Sequence, residues 1–518
     1  MVKDEKIKYE PVIGLEIHAE LKTRTKMFCA CKNDPDERHP NVNICPICTG
    51  QPGTLLVINR NAVDKVIKVG LALKSKVSEI TKWDRKNYFY PDLPKGYQIS
   101  QYDHPICLGG ELVMPKFNSA KGGSAFGGKK INITRIHLEE DTGRLAHFGH
   151  IGHSLVDFNR AGVPLMELVT EPDFSSGEEA SVFAQELQLI LRYLGVSDAD
   201  MEKGQMRVEA NLSLKPIGSK ELGVKIEIKN LNSFKATRDA IDYEIKRQAD
   251  ILERAEKIVQ QTRGWNESKG ETVLQRIKEE SHDYRYFPEP DLPPMRTNIE
   301  LIKEIKAGLP ELPSEKRKRF KSEYGLNDDQ IDIFVSIKRL GDFYEKVATE
   351  LDAVAKDFHY KKGLKGDFPN EPGITGKLHS LSANFIITEF PFLFSMKSKG
   401  LNDIEDLNIT PESFAELMVL LFHKELSSTG AKMIIKEMAK TGLYPEQVIK
   451  EKDLSQIQDV DELEKAASKI ISENQSAVAD YKKGKEASLQ FLIGQVMRET
   501  RGKANPESAS EILKRLLK

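Results

Sequence analysis

The stretch Leu15-Glu16-Ile17-His18-Ala19-Glu20-Leu21 alternates apolar and polar residues with a period of two. Such alternation is typical of a β-strand with one buried and one polar face. It places Glu16, His18 and Glu20 together on the polar face. For one strand alone, a face turned to water is the ordinary interpretation, so the pattern has to be weighed together with its neighbours.

Further segments repeat this pattern and predict a sheet. Residues 207–214 place on one face Arg207, Glu209, Asn211 and Ser213. Residues 224–229 place on one face Lys225, Glu227 and Lys229. The acidic run Glu139-Glu140-Asp141 ends another strand-like segment, residues 131–138. Together these segments predict a polar sheet face that gathers carboxylates, an imidazole, lysines and amides, which can bind a hard cation and a phosphate group.

The fold class predicted from the whole chain is α+β, with a mainly antiparallel first part and a helical remainder. A chain of 518 residues is too long for a single core. Residues 1–297 are rich in Gly, Pro and β-branched residues, whereas long polar helices are predicted from residue 298 onward. A second boundary is predicted between 298–410 and 411–518, where Thr410 suits the helix N-cap and Pro411 the first helical position.

Charge and hydropathy exclude several classes of protein. Lys and Arg number 77 against 79 for Asp and Glu, so the net charge of −2 excludes a polybasic or polyacidic chain. Residues 482–518 nevertheless hold nine Lys or Arg and four Asp or Glu, a net +5. That tail is either a solvated helical surface or a patch for a nucleic-acid backbone. No signal peptide and no apolar run of about 18 residues is evident, so a cytoplasmic protein without membrane contact is predicted.

Four of the five cysteines lie close together in the sequence, as Cys29-Ala30-Cys31 and Cys45-Pro46-Ile47-Cys48. Two close thiolate pairs on tight turns can close a tetrahedral shell around Zn²⁺. The alternative is four reduced thiols that are neighbours by chance. A closed shell has no position open for substrate, so the pattern predicts a structural zinc knuckle, with Cys107 left outside it.

Aromatic and turn residues crowd into residues 84–98, which include Lys86 and Tyr88. So many Tyr, Pro and Gly residues predict an ordered, irregular loop. The loop is either a wall of an active site or a structural plug of aromatic side chains.

The chain resembles the B subunit of the glutamine-dependent aspartyl/glutamyl-tRNA amidotransferase. The motifs that carry the resemblance occur in the family's order at residues 12–18, 84–92, 137–141, 156–160, 227–233 and 283–291. It continues to Gly494-Gln495-Val496-Met497 and Gly502-Lys503-Ala504-Asn505-Pro506, and so covers nearly the whole chain. The resemblance implies a cradle-like or kinase-like catalytic domain with the zinc knuckle, then a helical domain, then a small helical YqeY-like domain that contacts tRNA.

By this resemblance, the expected reaction is ATP-dependent phosphorylation of the side-chain carboxylate of mischarged Glu-tRNA(Gln), Asp-tRNA(Asn) or both. Ammonia then displaces the phosphate and leaves the amide. The ammonia is expected from a glutaminase A subunit through an internal channel, and a small C subunit is expected to hold the complex together. The expected cofactors are Mg²⁺, structural Zn²⁺, and ATP as co-substrate.

The resemblance also assigns roles to individual residues. The Mg²⁺ ligands that it implies are His18, Glu140 and Glu227. Catalytic roles fall to Glu16, near a second metal, to Lys86 and Glu140 at the channel mouth, and to Lys229 beside the phosphoryl group. Contacts with the nucleotide or the substrate are predicted for Tyr88, Arg207, Glu209, Asn211 and Asn232.

Two alternatives stand beside this interpretation. The archaeal E subunit of the same family carries a large synthetase-like insertion, for which residues 291–410 leave no space. A non-catalytic, zinc-containing scaffold subunit that binds tRNA would keep the cysteines and the basic tail. Such a scaffold would not need Glu16, His18, Glu140 and Glu227 to converge.

Overall fold

The protein is described by a computed structural model over residues 9–115, 128–147, 152–277, 283–363, 374–396, 407–452, 460–500, 504 and 506–517. Its elements group into two units, Met1–Pro313 and Ser314–Lys518. The strands lie in the first unit: β1 (Tyr9–Glu20), β2 (Lys76–Val77), β3 (Ile80–Thr81), β4 (Asp84–Asn87), β5 (Tyr97–Ser100), β6 (Cys107–Leu108), β7 (Glu111–Val113), β8 (Lys130–Glu140), β9 (Arg144–His147), β10 (Ser154–Asp157), β11 (Pro164–Thr170), β12 (Met206–Pro216), β13 (Ile226–Leu231), β14 (Gln261–Asn266), β15 (Glu271–Ile277), β16 (Phe287–Pro288) and β17 (Met295–Arg296).

The helices of the first unit are α1 (Arg60–Ala72), α2 (Gly177–Tyr193), α3 (Phe234–Glu253) and α4 (Ile299–Ala307). The second unit is helical throughout its described residues: α5 (Pro313–Tyr324), α6 (Asp328–Ser336), α7 (Lys338–Lys362), α8 (Ile374–Met396), α9 (Pro411–Phe422), α10 (Ser428–Thr441), α11 (Pro445–Lys452), α12 (Val460–Glu473), α13 (Gln475–Lys482), α14 (Glu486–Glu499) and α15 (Pro506–Leu517). None of the helices within the described ranges is long and apolar enough to cross a membrane.

A ten-stranded sheet, counted over the described residues, organises the first unit. Its order is β15-β14-β13-β12-β1-β11-β8-β6-β2, with β7 paired to β8. All neighbours are antiparallel except β13 and β14. The mainly antiparallel sheet followed by helices therefore confirms the predicted α+β class, whereas the cradle-like and YqeY-like details stay predictions.

The apolar face of the sheet forms the core of the first unit. The inward residues of β1, among them Ile13, Leu15 and Ile17, are almost completely buried. Helices α1 and α3 pack against the sheet, and α2 packs against α3. Phe183 of α2 meets Phe174 edge to face. With helices on this face, the polar residues of the same strands are left on the other face, as the period of two predicts.

The two units divide after Pro313, beyond the boundary predicted at residue 297. Ile305 of α4, together with Leu309 and Leu312, packs against the core of the first unit, so this segment belongs to it. In the second unit, α9 begins as predicted, with Thr410 as N-cap and Pro411 in the first turn. Helices α12 to α15 share a hydrophobic core of their own. A separate domain over 411–518 stays a prediction.

Candidate active site

The polar face of the sheet brings ionisable residues from four strands into register. His18 on β1 lies opposite Glu167 on β11 and opposite Arg207 on β12. Glu167 in turn lies opposite His137 on β8. Directly opposed residues of an antiparallel pair point to the same face. The strand pairing therefore builds one row of acidic and basic side chains across the sheet.

At the middle of this row is a group of five side chains, which we call the acid–imidazole cluster: Glu16, His18, His137, Glu139 and Glu167. His18 Nε2 lies 3.2 Å from Glu167 Oε2, 3.7 Å from Glu139 Oε1 and 3.8 Å from Glu16 Oε1. His137 Nε2 lies 3.4 Å from the same Glu167 oxygen. Glu139 also lies within ion-pair distance of both imidazoles, with Oε2 3.9 Å from His137 Nε2, so Glu167 is the closer of the two carboxylates that the imidazoles share.

Burial and mutual charge shift the ionisation of the cluster. Burial disfavours a charged His18, but its hydrogen bond to Glu167 and the nearby carboxylates outweigh burial and raise the pKa to about 9. Burial also opposes ionisation of Glu167, yet the charges of His137 and His18 hold the pKa of that carboxyl well below its ordinary value. Burial, followed by the charge of Glu167, raises the pKa of Glu16 to about 7. A divalent cation beside Glu16 would favour its ionised form.

Two overlapping sets of residues in the cluster are able to hold a metal ion. They are Glu16, His18 and Glu167, and His137, Glu139 and Glu167, and within each set the ligand atoms lie within 4.8 Å of one another. Glu139 Oε2 is buried and has no hydrogen-bond partner among the described residues. His137 Nε2 lies 3.9 Å from this oxygen, too far for a hydrogen bond, and a buried carboxylate oxygen without one costs free energy unless a proton or a cation meets it. The donor set, mainly carboxylate oxygen, fits Mg²⁺.

The predicted residues Glu209, Glu227 and Lys229 lie next to the cluster on β12 and β13. Lys229 Nζ lies 2.9 Å from Glu209 and 3.4 Å from Glu227. Burial disfavours the charged ammonium of Lys229, but these two carboxylates raise its pKa above the ordinary value. Thr262 donates to Glu227 at 2.8 Å, and Asn211 lies opposite Glu227 in the sheet. Glu227 belongs to neither metal-capable set of the described residues, so its role as a Mg²⁺ ligand stays a prediction.

Glu140 points away from the cluster, although the sequence predicted that it joins His18. Adjacent residues of a strand face opposite sides, and Glu139 already occupies the polar face. Glu140 is buried on the other face, where it pairs with Lys95 and accepts a hydrogen bond from the Ile99 backbone at 3.0 Å. The structure therefore does not bring Glu140 together with His18 and Glu227.

The sequence prediction assigned no role to His137 or Glu167, and it named Glu139 within the acidic run without choosing it as a ligand. The period of two in residues 131–140 contained the signal for His137 and Glu139, since it places them on one face. Glu167 is the single charged residue of the apolar strand Pro-Leu-Met-Glu-Leu-Val-Thr, β11. A charge in a strand buried on both sides is unusual and marks a functional candidate.

Breaking the Lys95–Glu140 pair is expected to destabilise the first unit. In Lys95→Met the buried Glu140 carboxylate loses its partner, so we expect the free energy of unfolding to fall by about 3–5 kcal/mol. The double variant Lys95→Met with Glu140→Gln should recover part of the loss. Urea unfolding followed by tryptophan fluorescence measures both.

The matched control for that experiment is Lys74→Met, which breaks the exposed Lys74–Glu111 pair at 2.7 Å. An exposed pair contributes about 1 kcal/mol or less. Equal losses of unfolding free energy in Lys95→Met and Lys74→Met would contradict the conclusion that the buried Glu140 carboxylate depends on Lys95.

Aromatic side chains enclose Lys86 at the edge of the cluster. Lys86 Nζ lies 5.1 Å from the ring centroid of Tyr284 and 6.0 Å from that of Tyr88. Burial opposes its charge, but Glu139 leads the groups that raise the pKa of Lys86 above its ordinary value. Asn87 donates to the carbonyls of Tyr284 and Arg285 at 3.2 and 2.7 Å, which fixes the 283–288 segment beside β4. The predicted loop and the 283–288 segment thus enclose Lys86 together, and the role of active-site wall stays a prediction.

The remaining predicted contact residues lie at two other places. Arg207 donates to Asp141 Oδ2 at 2.6 Å, and Arg160 lies 3.6 Å from the same oxygen. Burial opposes ionisation of Asp141, but these two arginines lower its pKa to about 2. Asn232 lies just past β13, where its amide donates to Asn230 at 3.1 Å. Asn232 is therefore not in contact with the acid–imidazole cluster.

The four predicted cysteines form a second, separate site in the first unit. The sulfur atoms of Cys29, Cys31, Cys45 and Cys48 all lie within 4.8 Å of one another. A tetrahedral zinc centre with Zn–S distances of about 2.3 Å needs sulfur atoms about 3.8 Å apart, so this cluster fits zinc with a small contraction. A hydrogen bond from Cys29 is the largest of the effects that lower the pKa of Cys48, to about 5. The arrangement is consistent with structural zinc, and Cys107 lies apart from it.

Two family models match this chain, one within the first unit and one within the second. The family description "GatB/GatE catalytic domain" matches residues 11–303, and "GatB domain" matches residues 375–517. The chain belongs to the GatB family. Relatives named as the B subunit of aspartyl/glutamyl-tRNA(Asn/Gln) amidotransferase occur in Caldanaerobacter subterraneus subsp. tengcongensis and in Thermoanaerobacter pseudethanolicus. Each is 46% identical over 508 residues, which span 98% of this chain and 99% of the relative.

A more distant GatB relative leads to the same assignment. The protein of that name in Dehalococcoides mccartyi is 43% identical over 515 residues, again 98% of this chain and 99% of the relative. In this GatB chain, the matched catalytic region contains both the acid–imidazole cluster and the cysteine cluster.

Proposed function

We propose that this chain is the subunit of a tRNA-dependent amidotransferase that activates the substrate carboxylate with ATP. Its substrate is Glu-tRNA(Gln), Asp-tRNA(Asn) or both, and the γ-phosphoryl group of ATP passes to the side-chain carboxylate. Ammonia then displaces phosphate, and the side chain leaves as Gln or Asn on the tRNA. The observation that carries the proposal is the buried acid–imidazole cluster, flanked by Lys86 and Lys229, in a chain whose relatives are named amidotransferase subunits.

The electrostatic demand of this reaction matches the residues of the sheet face. The attacking carboxylate and the γ-phosphate are both anions, so positive charge has to offset their repulsion in the transition state. Mg²⁺ bound by Glu16, Glu167 and a His18 that has given up its proton to make room for the cation, with His137 and Glu139 beside them, would supply that charge. Lys86 and Lys229, on either side of the cluster, add fixed ammonium groups that orient the two anions.

Protection from water is the second requirement. An acyl phosphate hydrolyses in water, so its site has to be enclosed while ammonia arrives. We propose the wall of Tyr88, Tyr284 and Tyr286 as this enclosure. Burial raises the pKa of Tyr286 to about 12, so its hydroxyl stays neutral and adds no negative charge near the phosphate.

We further propose that ammonia reaches this site from a glutaminase A subunit, with a small C subunit in the same complex. The relatives are named as B subunits, which supports a complex of several different chains. Lys86 and Glu140 remain the residues proposed for the channel mouth. Glu139 and Glu140 are adjacent on β8 but face opposite sides of the sheet, so this strand end lies between the reaction site and the buried Lys95–Glu140 pair.

The second candidate is the non-catalytic scaffold subunit that binds tRNA. Burying Glu139, Glu167 and His137, with Glu16 and His18 half-buried beside them, costs free energy. A scaffold that only binds tRNA does not need this cluster, because the zinc site and the basic tail are enough for that role. The cluster therefore favours the catalytic subunit.

The test is reconstitution with the partner subunits, Glu-tRNA(Gln), ATP and ammonium chloride as nitrogen donor. We expect one ADP for each side-chain amide formed, and no amide when this chain is omitted. Amide formation at an equal rate without ATP, or without this chain, would refute the proposed activation step. Ammonium chloride removes the need for the glutaminase, so the outcome reports on this subunit.

The basic tail is expected to bind the tRNA backbone. Helices α12 to α15 share their own core, so removal of residues 460–518 should leave the sheet and its cluster in place. We expect weaker tRNA binding and a shallower dependence of log affinity on log salt, by roughly 0.7–0.9 for each phosphate that the tail neutralises. Filter binding over a series of salt concentrations measures both quantities. In the full-length chain, Lys483→Gln with Lys485→Gln is the milder variant, and unchanged slopes in both would contradict the role of the tail.

A further inference from the structure

We infer that Lys26 is a positioning residue of the cysteine cluster: its buried ammonium is the counter-charge that keeps the metal-loaded thiolates together. The inference concerns the zinc centre and not the amidation reaction. It starts from an unusual observation. Lys26 has a relative exposure of 0%, and lysine is almost never fully buried without a partner.

The partners of the ammonium identify its role. Lys26 Nζ lies 3.7 Å from Cys48 Sγ and 3.2 Å from the carbonyl oxygen of Phe158. Among the described residues, no carboxylate lies within ion-pair distance of this nitrogen. The sulfur of Cys48 is therefore the anionic group that the buried Lys26 meets.

The charge of a loaded centre explains why such a partner is needed. Four thiolates and one Zn²⁺ carry a net charge of −2. Cys48 is buried and the other three cysteines are half-buried, so water compensates only part of that charge. A single ammonium halves that excess. The backbone N–H of Cys45 also donates to Cys48 Sγ, at 3.2 Å, but an amide adds no net charge. In the described part of the chain, Lys26 is the cation that lies within hydrogen-bond distance of the cysteine cluster.

The backbone of Lys26 ties the two halves of the cluster together. Its N–H donates to the carbonyl of Cys31 at 3.0 Å, so its main chain lies against the loop with the first cysteine pair. Its side chain reaches the second pair at Cys48. Asn59 donates to the Lys26 carbonyl at 3.1 Å and fixes the segment from the other side. One residue thus contacts the backbone of the first cysteine pair and a sulfur of the second.

The loop from Phe158 to Gly162 completes the surroundings. Gly162 has φ +84°, and its carbonyl accepts from the Met27 backbone at 2.7 Å. A Cβ on Gly162 would lie 3.4 Å from Cys48 Cβ, 3.7 Å from Lys26 Cδ and 3.8 Å from Glu140 Oε2. The glycine thus lets this loop lie against both the lysine stem and Cys48, while the nearby Glu140 carboxylate pairs with Lys95.

Removing the positive charge of Lys26 is expected to weaken zinc binding. Groups that hydrogen-bond to metal ligands typically contribute 10- to 100-fold to metal affinity. For Lys26→Met, which keeps the chain length and removes the charge, we expect zinc loss to a chromogenic chelator to increase by about this factor. Lys26→Gln keeps a hydrogen-bond donor without the charge, and should resemble Lys26→Met if charge is the decisive property. Lys26→Arg should retain zinc better than either.

The experiment uses the full chain in complex with its partner subunits, with zinc content measured before and during chelation. Lys32→Met is the matched control, because Lys32 follows Cys31 directly but is exposed and paired with Asp34 at 2.6 Å. We expect Lys32→Met to retain zinc as the wild type does. With cobalt in place of zinc, Lys26→Gln should move the thiolate-to-metal charge-transfer band to lower energy, which reports on the charge at sulfur even if stability changes.

Wild-type zinc retention together with an unshifted cobalt band in Lys26→Gln would overturn the inference. A wild-type protein that binds no zinc would overturn it as well, by removing the centre that it concerns. Neither result bears on amide formation, because the proposed reaction rests on the acid–imidazole cluster on the sheet.

Discussion

Replacing Glu167 with glutamine is expected to lower ATP-dependent amide formation by roughly a hundredfold or more. Glu167 lies 3.2 Å from His18 and 3.4 Å from His137, and it belongs to both metal-capable sets. The substitution keeps the shape and removes one negative charge at the point where the two sets meet. Metal ions contribute several kcal/mol of transition-state stabilisation, and about 2.7 kcal/mol already corresponds to a hundredfold change in rate.

The rate is measured with mischarged tRNA and ammonium chloride at saturating ATP, over a range of Mg²⁺ concentrations. The matched control is Glu171→Gln just beyond the same strand, since Glu171 is exposed and accepts a hydrogen bond from Thr134 at 2.6 Å. We expect Glu171→Gln to keep the wild-type rate. Equal rates for the wild type and Glu167→Gln at every Mg²⁺ concentration would refute the proposed metal site.

Three variants, at His18 and at the adjacent Glu139 and Glu140, separate the sequence prediction from the structure. His18→Ala should abolish amide formation while tRNA binding survives, whichever glutamate is the partner. Glu139→Gln should raise the Mg²⁺ concentration required for the reaction, because Glu139 lies 3.7 Å from His18. Glu140→Gln should leave that Mg²⁺ requirement unchanged, because Glu140 is buried against Lys95. The reverse pattern would support Glu140 as the metal ligand.

Cys48→Ser is expected to remove zinc and to destabilise the first unit by about 4 kcal/mol or more. Loss of a structural metal belongs to the small set of changes with effects of this size, because metal binding is coupled to folding. Both tryptophans of the chain, Trp83 and Trp265, are buried in the first unit. Their fluorescence during urea unfolding therefore reports on this unit.

The control for Cys48→Ser is Cys107→Ala, which removes a thiol away from the cluster. It should keep one zinc per chain, although the loss of a buried side chain will cost some stability. Chelation of wild-type zinc should reproduce the effect of Cys48→Ser and have no further effect on that variant. A Cys48→Ser protein with wild-type zinc content and stability would contradict the structural role of the cluster.

The sequence was informative where short-range periodicity decides the structure. Alternation in residues 15–21 predicted the polar face of β1, and Thr410 with Pro411 predicted the start of α9. Both follow from local backbone preferences. The spacing of the cysteines likewise predicted their proximity, because two tight turns and one connecting loop are enough to bring them together.

These local patterns do not predict which strands pair with one another in the sheet. The order of the sheet puts β11 between β1 and β8, and this alone brings Glu167 to His18 and His137. The family resemblance points to Glu140, whereas the period of two in the same motif favours Glu139 for the polar face. The contact between Lys26 and Cys48 depends on how the loop folds back, and no sequence rule predicts it.

Transfer of labelled oxygen tests the central claim most directly. Glu-tRNA(Gln) with ¹⁸O in both side-chain carboxylate oxygens is incubated with ATP, ammonium chloride and the reconstituted complex, and the phosphate-containing products are analysed by mass spectrometry. If the carboxylate is phosphorylated, one ¹⁸O atom appears in inorganic phosphate for each amide formed, and ADP is the nucleotide product. Label in AMP, or amide formation with unlabelled phosphate, would contradict the account.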